Sequence, residues 1–238
     1  KLSDLLRETG LKPKAKWVLA EGSDTSGMTR SIPIEKILDD CLIAWAMNGE
    51  ALRPEQGYPA RLVVPGWEGN MWVKWIRRLE FGDKPYMTRE ETSKYTDLLR
   101  DGKARMFTWV MEAKSVVTSP SPEKPILHKG IQQLRGLAWS GKGKIKRVDV
   151  SLDGGKNWRT AQLHAPIMSK SLVRFTLPFE WSGEELLIQS RAIDETGYVQ
   201  PYIQELQKIR GKNSIYHNNS IATWLVSKSG KVDNVRLG

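Results

Sequence analysis

Thr118-Ser119-Pro120-Ser121-Pro122-Glu123-Lys124-Pro125 sets three prolines within six residues. Each ring fixes φ and removes a backbone donor, so such a run continues neither a helix nor a central strand. The sequence on its two sides follows different periodicities. The segment is therefore expected to be a linker that divides the chain into residues 1–117, residues 118–208 and a tail of residues 209–238.

The first part mixes helix and strand. Leu2 to Thr9 reads as an amphipathic helix stopped at Gly10 and Pro13, and Ile34 to Asp39 as a second helix after Pro33. Trp17 to Ala20, Leu42 to Met47, Arg61 to Val64 and Trp72 to Phe81 read as strands, with Asn48-Gly49 as a hairpin turn. After the prolines the pattern becomes short strands at regular spacing. These are Gly130 to Ser140, Ile145 to Leu152, Leu172 to Leu177, Glu185 to Asp194 and Ile221 to Ser227, with turns at Asp153-Gly154-Gly155 and Ser229-Gly230. The expected fold is α+β followed by an all-β sandwich of immunoglobulin-like type.

Charge and cysteine usage narrow the function. Thirty-seven Lys and Arg against 27 Asp and Glu leave a formal net charge of +10, which suits an anionic substrate or partner. The basic residues are spread along the chain and form no basic helix or aromatic–basic motif, so nucleic acid is not expected. No apolar run approaches the length of a membrane span. One cysteine, Cys41, excludes an intrachain disulfide and a thiolate metal cluster. His128, His164 and His217 show no ligand spacing. The opening at Lys1, without an initiator Met or leader, is read as that of a fragment or processed chain.

The residues richest in chemistry run from Met47-Asn48-Gly49 through Gln56-Gly57-Tyr58-Pro59-Ala60-Arg61 to Val64-Pro65-Gly66. Arg61 opens an apolar run. A cation there needs either a salt bridge to a nearby acid or an anionic ligand, and the residues alone favour the salt bridge.

This stretch, followed by Trp72-Val73-Lys74-Trp75, resembles the Met-Asn-Gly, Gly-(Phe/Tyr)-Pro-x-Arg, Val-Pro-Gly and Val-Lys-Trp motifs of the sulfite oxidase family. Val148-Asp149-Val150-Ser151-Leu152-Asp153-Gly154-Gly155-Lys156-Asn157-Trp158, Arg191-Ala192-Ile193-Asp194 and Val199-Gln200-Pro201 resemble signatures of that family's dimerisation domain. The resemblance implies that residues 1–117 are the C-terminal part of a molybdopterin-binding domain and residues 118–208 the Ig-like dimerisation domain. It implies a molybdenum–molybdopterin cofactor held by Arg61, Trp72, Val73 and Lys74, with Gln56 and Asp24 as further contacts. It also implies a homodimer, a periplasmic location, an anionic sulfur substrate and a c-type cytochrome that takes the electrons.

Two positions depart from the family pattern. Gln56 stands where many members carry His, and Trp45 stands where sulfite oxidases carry a Tyr that faces the substrate. Trp donates one hydrogen bond and has no phenolic proton to give. Together with Ile215-Tyr216-His217-Asn218-Asn219-Ser220 and Trp224, the Trp45 version is similar to the sulfane dehydrogenase branch. Arg210, in Ile209-Arg210-Gly211, resembles the family's Leu-Arg-Gly arginine and is expected to reach the substrate from a tail that returns to the active-site region. Tyr216 and His217 are read as packing the tail rather than moving protons.

The family's molybdenum ligand is a cysteine expected upstream of Lys1. Cys41, in an apolar context, is read as a buried structural thiol, and no residue of this chain is assigned to metal. The implied activity is oxidation of sulfane sulfur or sulfite. A cofactor-less dimerising or binding remnant, and a family member that reduces nitrate or sulfoxide, are the alternatives.

Overall fold

The computed structural model describes residues 1–212 and 216–237, and the chain divides into two compact units, Lys1–Trp109 and Val110–Gly238. Ile215 of the tail motif lies outside the described residues. The expected fold class holds: an α+β unit precedes a β-sandwich. No helix among the described residues is long and apolar enough to cross a membrane.

The first unit opens with helix α1 (Leu2–Thr9), which buries Leu2 and Leu6 one turn apart and ends at Gly10 with φ 76°. Strand β1 (Trp17–Gly22) lies between β2 (Thr29–Pro33) and the later β7 (Ile76–Gly82) in an antiparallel sheet. It is the central strand of the sheet, and five of its six residues are buried. Helix α2 (Ile34–Asp39) follows Pro33 directly, because proline suits the position before a helix and ends the strand's ladder. β3 (Leu42–Ala44) pairs with β6 (Arg61–Val63), and β4 (Ala46–Met47) and β5 (Glu50–Ala51) form a hairpin around Asn48-Gly49. Both turn residues have positive φ, as a two-residue hairpin requires. Helix α3 (Arg89–Ser93) and the short pair β8 (Asp97–Leu98) and β9 (Ala104–Arg105) complete the unit. Trp67 and Trp109 stack with centroids 4.9 Å apart, and Trp17 and Phe107 also pack against Trp109.

In the second unit, β10 (Lys114–Ser119), β11 (Gly130–Trp139), β15 (Val173–Trp181) and β14 (Gln162–His164) make one sheet, in the order β10-β11-β15-β14. The other holds β13 (Arg159–Thr160), β12 (Ile145–Ser151), β16 (Leu186–Asp194), β17 (Thr223–Val226) and β18 (Val232–Val235), in the order β13-β12-β16-β17-β18. Helix α4 (Ile203–Arg210) joins β16 to β17. β15 alternates strictly, and it sends Val173, Phe175, Leu177, Phe179 and Trp181 inward against Leu134, Val148, Ile188 and Val226. Gly136 is obligatory there, because a Cβ on it would stand 2.1 Å from the Phe175 ring.

The structure moves the expected boundary from 117/118 to Trp109/Val110. The proline segment is a turn inside the sandwich, not a linker. β10 runs to Ser119 on the β11 ladder, Ser121 and Lys124 exchange backbone hydrogen bonds, and the Ile126 amide donates to Gly230 O at 3.0 Å. Prolines interrupt a ladder equally well at a strand end and between domains, so composition alone does not separate the two. The tail is likewise no separate segment, since β17 and β18 extend the five-stranded sheet. Trp72 to Trp75, read as strand, instead leaves a 3-10 turn at Gly69–Met71, and β7 starts at Ile76.

Candidate functional site

Arg61 sits at the first position of β6, opposite Ala44, and Trp45 follows immediately. Its guanidinium reaches back and donates to Gln56 O at 3.0 Å and Trp72 O at 2.9 Å, with the Trp72 ring 5.8 Å from its centre. Nε is buried and has no partner. Burial holds the Arg61 pKa below its usual value. The residues alone favoured a salt bridge for Arg61, but among the described residues it pairs with no carboxylate.

The turn before Arg61 makes this arrangement possible. Pro54–Gln56 forms one 3-10 turn, closed by Gly57 at φ 108°. A Cβ on Gly57 would lie 2.9 Å from Lys74 Cβ and 3.1 Å from Arg61 Cβ, so glycine lets the two cationic segments converge. The Gln56 side chain is used internally: Oε1 accepts from the Arg53 amide at 3.0 Å. Lys74 Nζ donates to Glu55 O at 2.6 Å and lies 5.0 Å from the Trp75 ring centroid.

Trp72, Val73, Lys74 and Trp75 form a strap that, with Gly69 and Asn70, makes one wall of a cavity of about 160 Å³; Asp24 and Met28 make the other. The walls meet where the Ser23 amide donates to Trp75 O at 2.8 Å. Trp75 has φ 49°, uncommon for a bulky residue, and is held there in part by its indole N–H bond to Pro54 O at 2.8 Å. Leu62 N donates to Val73 O and Ile76 N to Ala60 O, while the Val73 and Lys74 amides donate to no protein acceptor among the described residues. Asp24 is committed to its loop. Hydrogen bonds from the Ser26 hydroxyl and the Met28 amide hold its pKa below the usual carboxylate value.

Six sequence-predicted residues thus come together: Arg61, Trp72, Val73, Lys74, Gln56 and Asp24. A phosphorylated pterin requires fixed cations and unspent backbone donors. Arg61 with its unpartnered Nε, Lys74 bonded only to a carbonyl, and the two spare amides meet that requirement. Trp45 is 72% exposed beside this cluster in sequence, and Cys41 is buried, as its apolar context indicated.

Arg210 lies in the second unit, in the last turn of α4, at 2% exposure. Its Nη2 pairs with Glu112 Oε2 at 3.3 Å. The same oxygen receives His217 Nε2 at 3.1 Å and the Tyr198 hydroxyl at 3.2 Å, and Lys142 Nζ stands 3.8 Å from Oε1. Burial alone would raise the Glu112 pKa. The His217 hydrogen bond and the charges of Arg210, His217 and Lys142 outweigh it and bring the value down to about 2. His217 therefore packs the tail through Glu112. Sequence reasoning missed Glu112, because the groups that identify it come from 30 to 105 residues away. It also missed Arg30, whose signal was a strand position two residues before Ile32 and hence on the same face of β2.

Residues 1–90 match the Oxidoreductase molybdopterin binding domain family, and residues 105–224 match the Mo-co oxidoreductase dimerisation domain family. The chain is 31% identical to mitochondrial sulfite oxidase of Drosophila melanogaster over 89% of its own length and 42% of that protein. It is 32% identical to nitrate reductase [NADH] of Solanum lycopersicum over 84% of its length and 26% of that protein. Among solved structures, the sulfane dehydrogenase SoxCD of Paracoccus pantotrophus superposes with a TM-score of 0.97 at 61% identity, covering 100% of this chain and 61% of that one. The chain spans less than half the length of these curated relatives. Its two matched domains, in this order and over nearly its whole length, place it in the sulfite oxidase family of molybdopterin oxidoreductases.

Proposed function

We propose that this chain is the pterin-holding and dimerising part of a periplasmic molybdenum enzyme that oxidises a reduced sulfur group, sulfane sulfur or sulfite. A bound molybdenum–molybdopterin supplies the two-electron redox chemistry. A c-type cytochrome subunit takes the electrons. The 61% identity to a sulfane dehydrogenase, against 32% to a nitrate reductase, favours sulfur oxidation over reduction.

The observation that carries the reading is Arg61, a partly buried guanidinium bonded only to carbonyls, with Nε unpartnered and Lys74 brought beside it across Gly57. Arg61 and Lys74 hold the anionic end of the pterin, and the strap offers the Val73 and Lys74 amides to it. Asp24 and Gln56 contribute mainly by ordering the two loops, since their side chains are already bonded internally. In the second unit Arg210 binds the anionic sulfur substrate, oriented by Glu112. Trp45 takes the place of the family's Tyr toward that substrate and keeps its surroundings drier than a Tyr would. The sandwich pairs with a second copy to form a homodimer.

The test is Arg61→Ala in the holoenzyme, read as molybdopterin bound per folded protein. The proposal requires a clear fall, since a charge-assisted contact to phosphate contributes roughly 1.5–3 kcal/mol. Wild-type loading would remove the site.

A further inference from the structure

Arg30 lies outside every motif discussed above, yet it is 0% exposed in the core of the first unit. Its Nε donates to Asn70 O at 2.9 Å, with Asn70 Oδ1 at 3.3 Å, and its Nη1 donates to Thr29 O at 2.8 Å. The guanidinium stands 4.9 Å above the Tyr95 ring, and Nη2 has no partner. No carboxylate pairs with it among the described residues; Glu91 and Glu90 feel its charge only at longer range. A buried cation without a close counter-ion is costly, and an apolar residue of similar volume would fill this position without that penalty.

Of the two carbonyls that Arg30 joins, one belongs to a residue that lines the cavity and the other to a residue next in sequence to its opposite wall. Asn70 lines the strap wall, and Thr29 follows Met28 of the other. At one end the walls are closed by the Ser23–Trp75 backbone bond. At the Asn70 end the Arg30 fork closes them. We infer that Arg30 is a positioning residue for the pterin: it sets the separation of the walls and so the aim of the Val73 and Lys74 amides. Only a guanidinium has two donors rigidly spaced to reach both carbonyls, and a lysine ammonium cannot keep that spacing.

This inference rests on the proposed pterin site. Its test is Arg30→Lys and Arg30→Gln in the holoenzyme, with Arg61→Ala alongside. Pterin fluorescence reports the cofactor retained per folded protein and its rate of loss on dilution, and urea midpoints of the cofactor-free proteins report the fold. Arg30→Lys should lose cofactor about ten-fold faster than wild type, as outer-shell changes commonly do, while its cofactor-free midpoint stays near wild type. Arg30→Gln should lose it faster still. Wild-type retention in Arg30→Lys overturns the inference. So does cofactor loss that only follows loss of folded protein, failure of both variants to fold included. If Arg61→Ala also retains cofactor, the pterin site itself falls; if Arg61→Ala loses it and the Arg30 variants do not, the inference alone falls.

Discussion

Glu112→Gln removes one charge and keeps the shape of the hub that ties Arg210, His217, Tyr198 and Lys142 together. In the folded protein the carboxyl is held at about 2 against an ordinary 4.5. At ~1.4 kcal/mol per pH unit, that difference amounts to about 3 kcal/mol of stability at neutral pH. Because the folded value is the lower one, the contribution is complete above pH 4.5 and disappears as the pH falls toward 2. The glutamine variant has no such contribution at any pH, and it leaves the Arg210 guanidinium facing a neutral acceptor. Urea unfolding of wild type and variant at pH 5 and pH 3 measures the effect. The gap should be about 3 kcal/mol at pH 5 and roughly half of that at pH 3, where the wild-type carboxyl is protonated in the unfolded chain and still ionised in the folded one. A gap equal at both pH values, or one below about 0.5 kcal/mol as for an exposed pair, would refute the account of Glu112 as a half-buried, charge-stabilised hub.

Two further outcomes follow from the site. Arg210→Met in the holoenzyme should leave cofactor content per folded protein intact and raise KM for the sulfur anion. Loss of one charged contact costs about 2–3 kcal/mol, roughly a 30–150-fold fall in kcat/KM; wild-type kinetics would dismiss Arg210 as a substrate residue. Gly57→Ala forces an L side chain to φ 108° and a Cβ to within 2.9 Å of Lys74. It should lower stability by about 1–3 kcal/mol and reduce pterin loading with it, and an unchanged urea midpoint would contradict the close approach.

Local patterning made much of this protein legible from its residues. Helix α1 announced itself by Leu2 and Leu6 on one face and Gly10 at its end, and β15 and β16 by strand composition between turn residues. The grouping of the proposed pterin residues was legible for a related reason. Gly57, Arg61 and Lys74 lie within one short span, so glycine conformation, a cation opening an apolar run and motif order can all be read along the chain. The proline segment misled, because a ring that blocks a ladder does so whether it ends a strand or separates domains, and only the pairing of β10 with β11 decides which. Trp72 to Trp75 has the composition of a strand. The structure bends it into a strap, because Arg61, Pro54 and Ser23, none of them adjacent to it in sequence, take up its polar groups. Arg30 and Glu112 lay furthest from reach. A charged side chain is ordinarily solvated, and nothing nearby in sequence says otherwise. What makes each a structural centre is burial together with partners tens of residues away: Asn70 for Arg30, and Arg210 and His217 for Glu112. The sequence alone thus determined which segments form helices and strands and where cations gather locally. Tertiary packing decided which charges leave water, because desolvation depends on what the rest of the chain places around them.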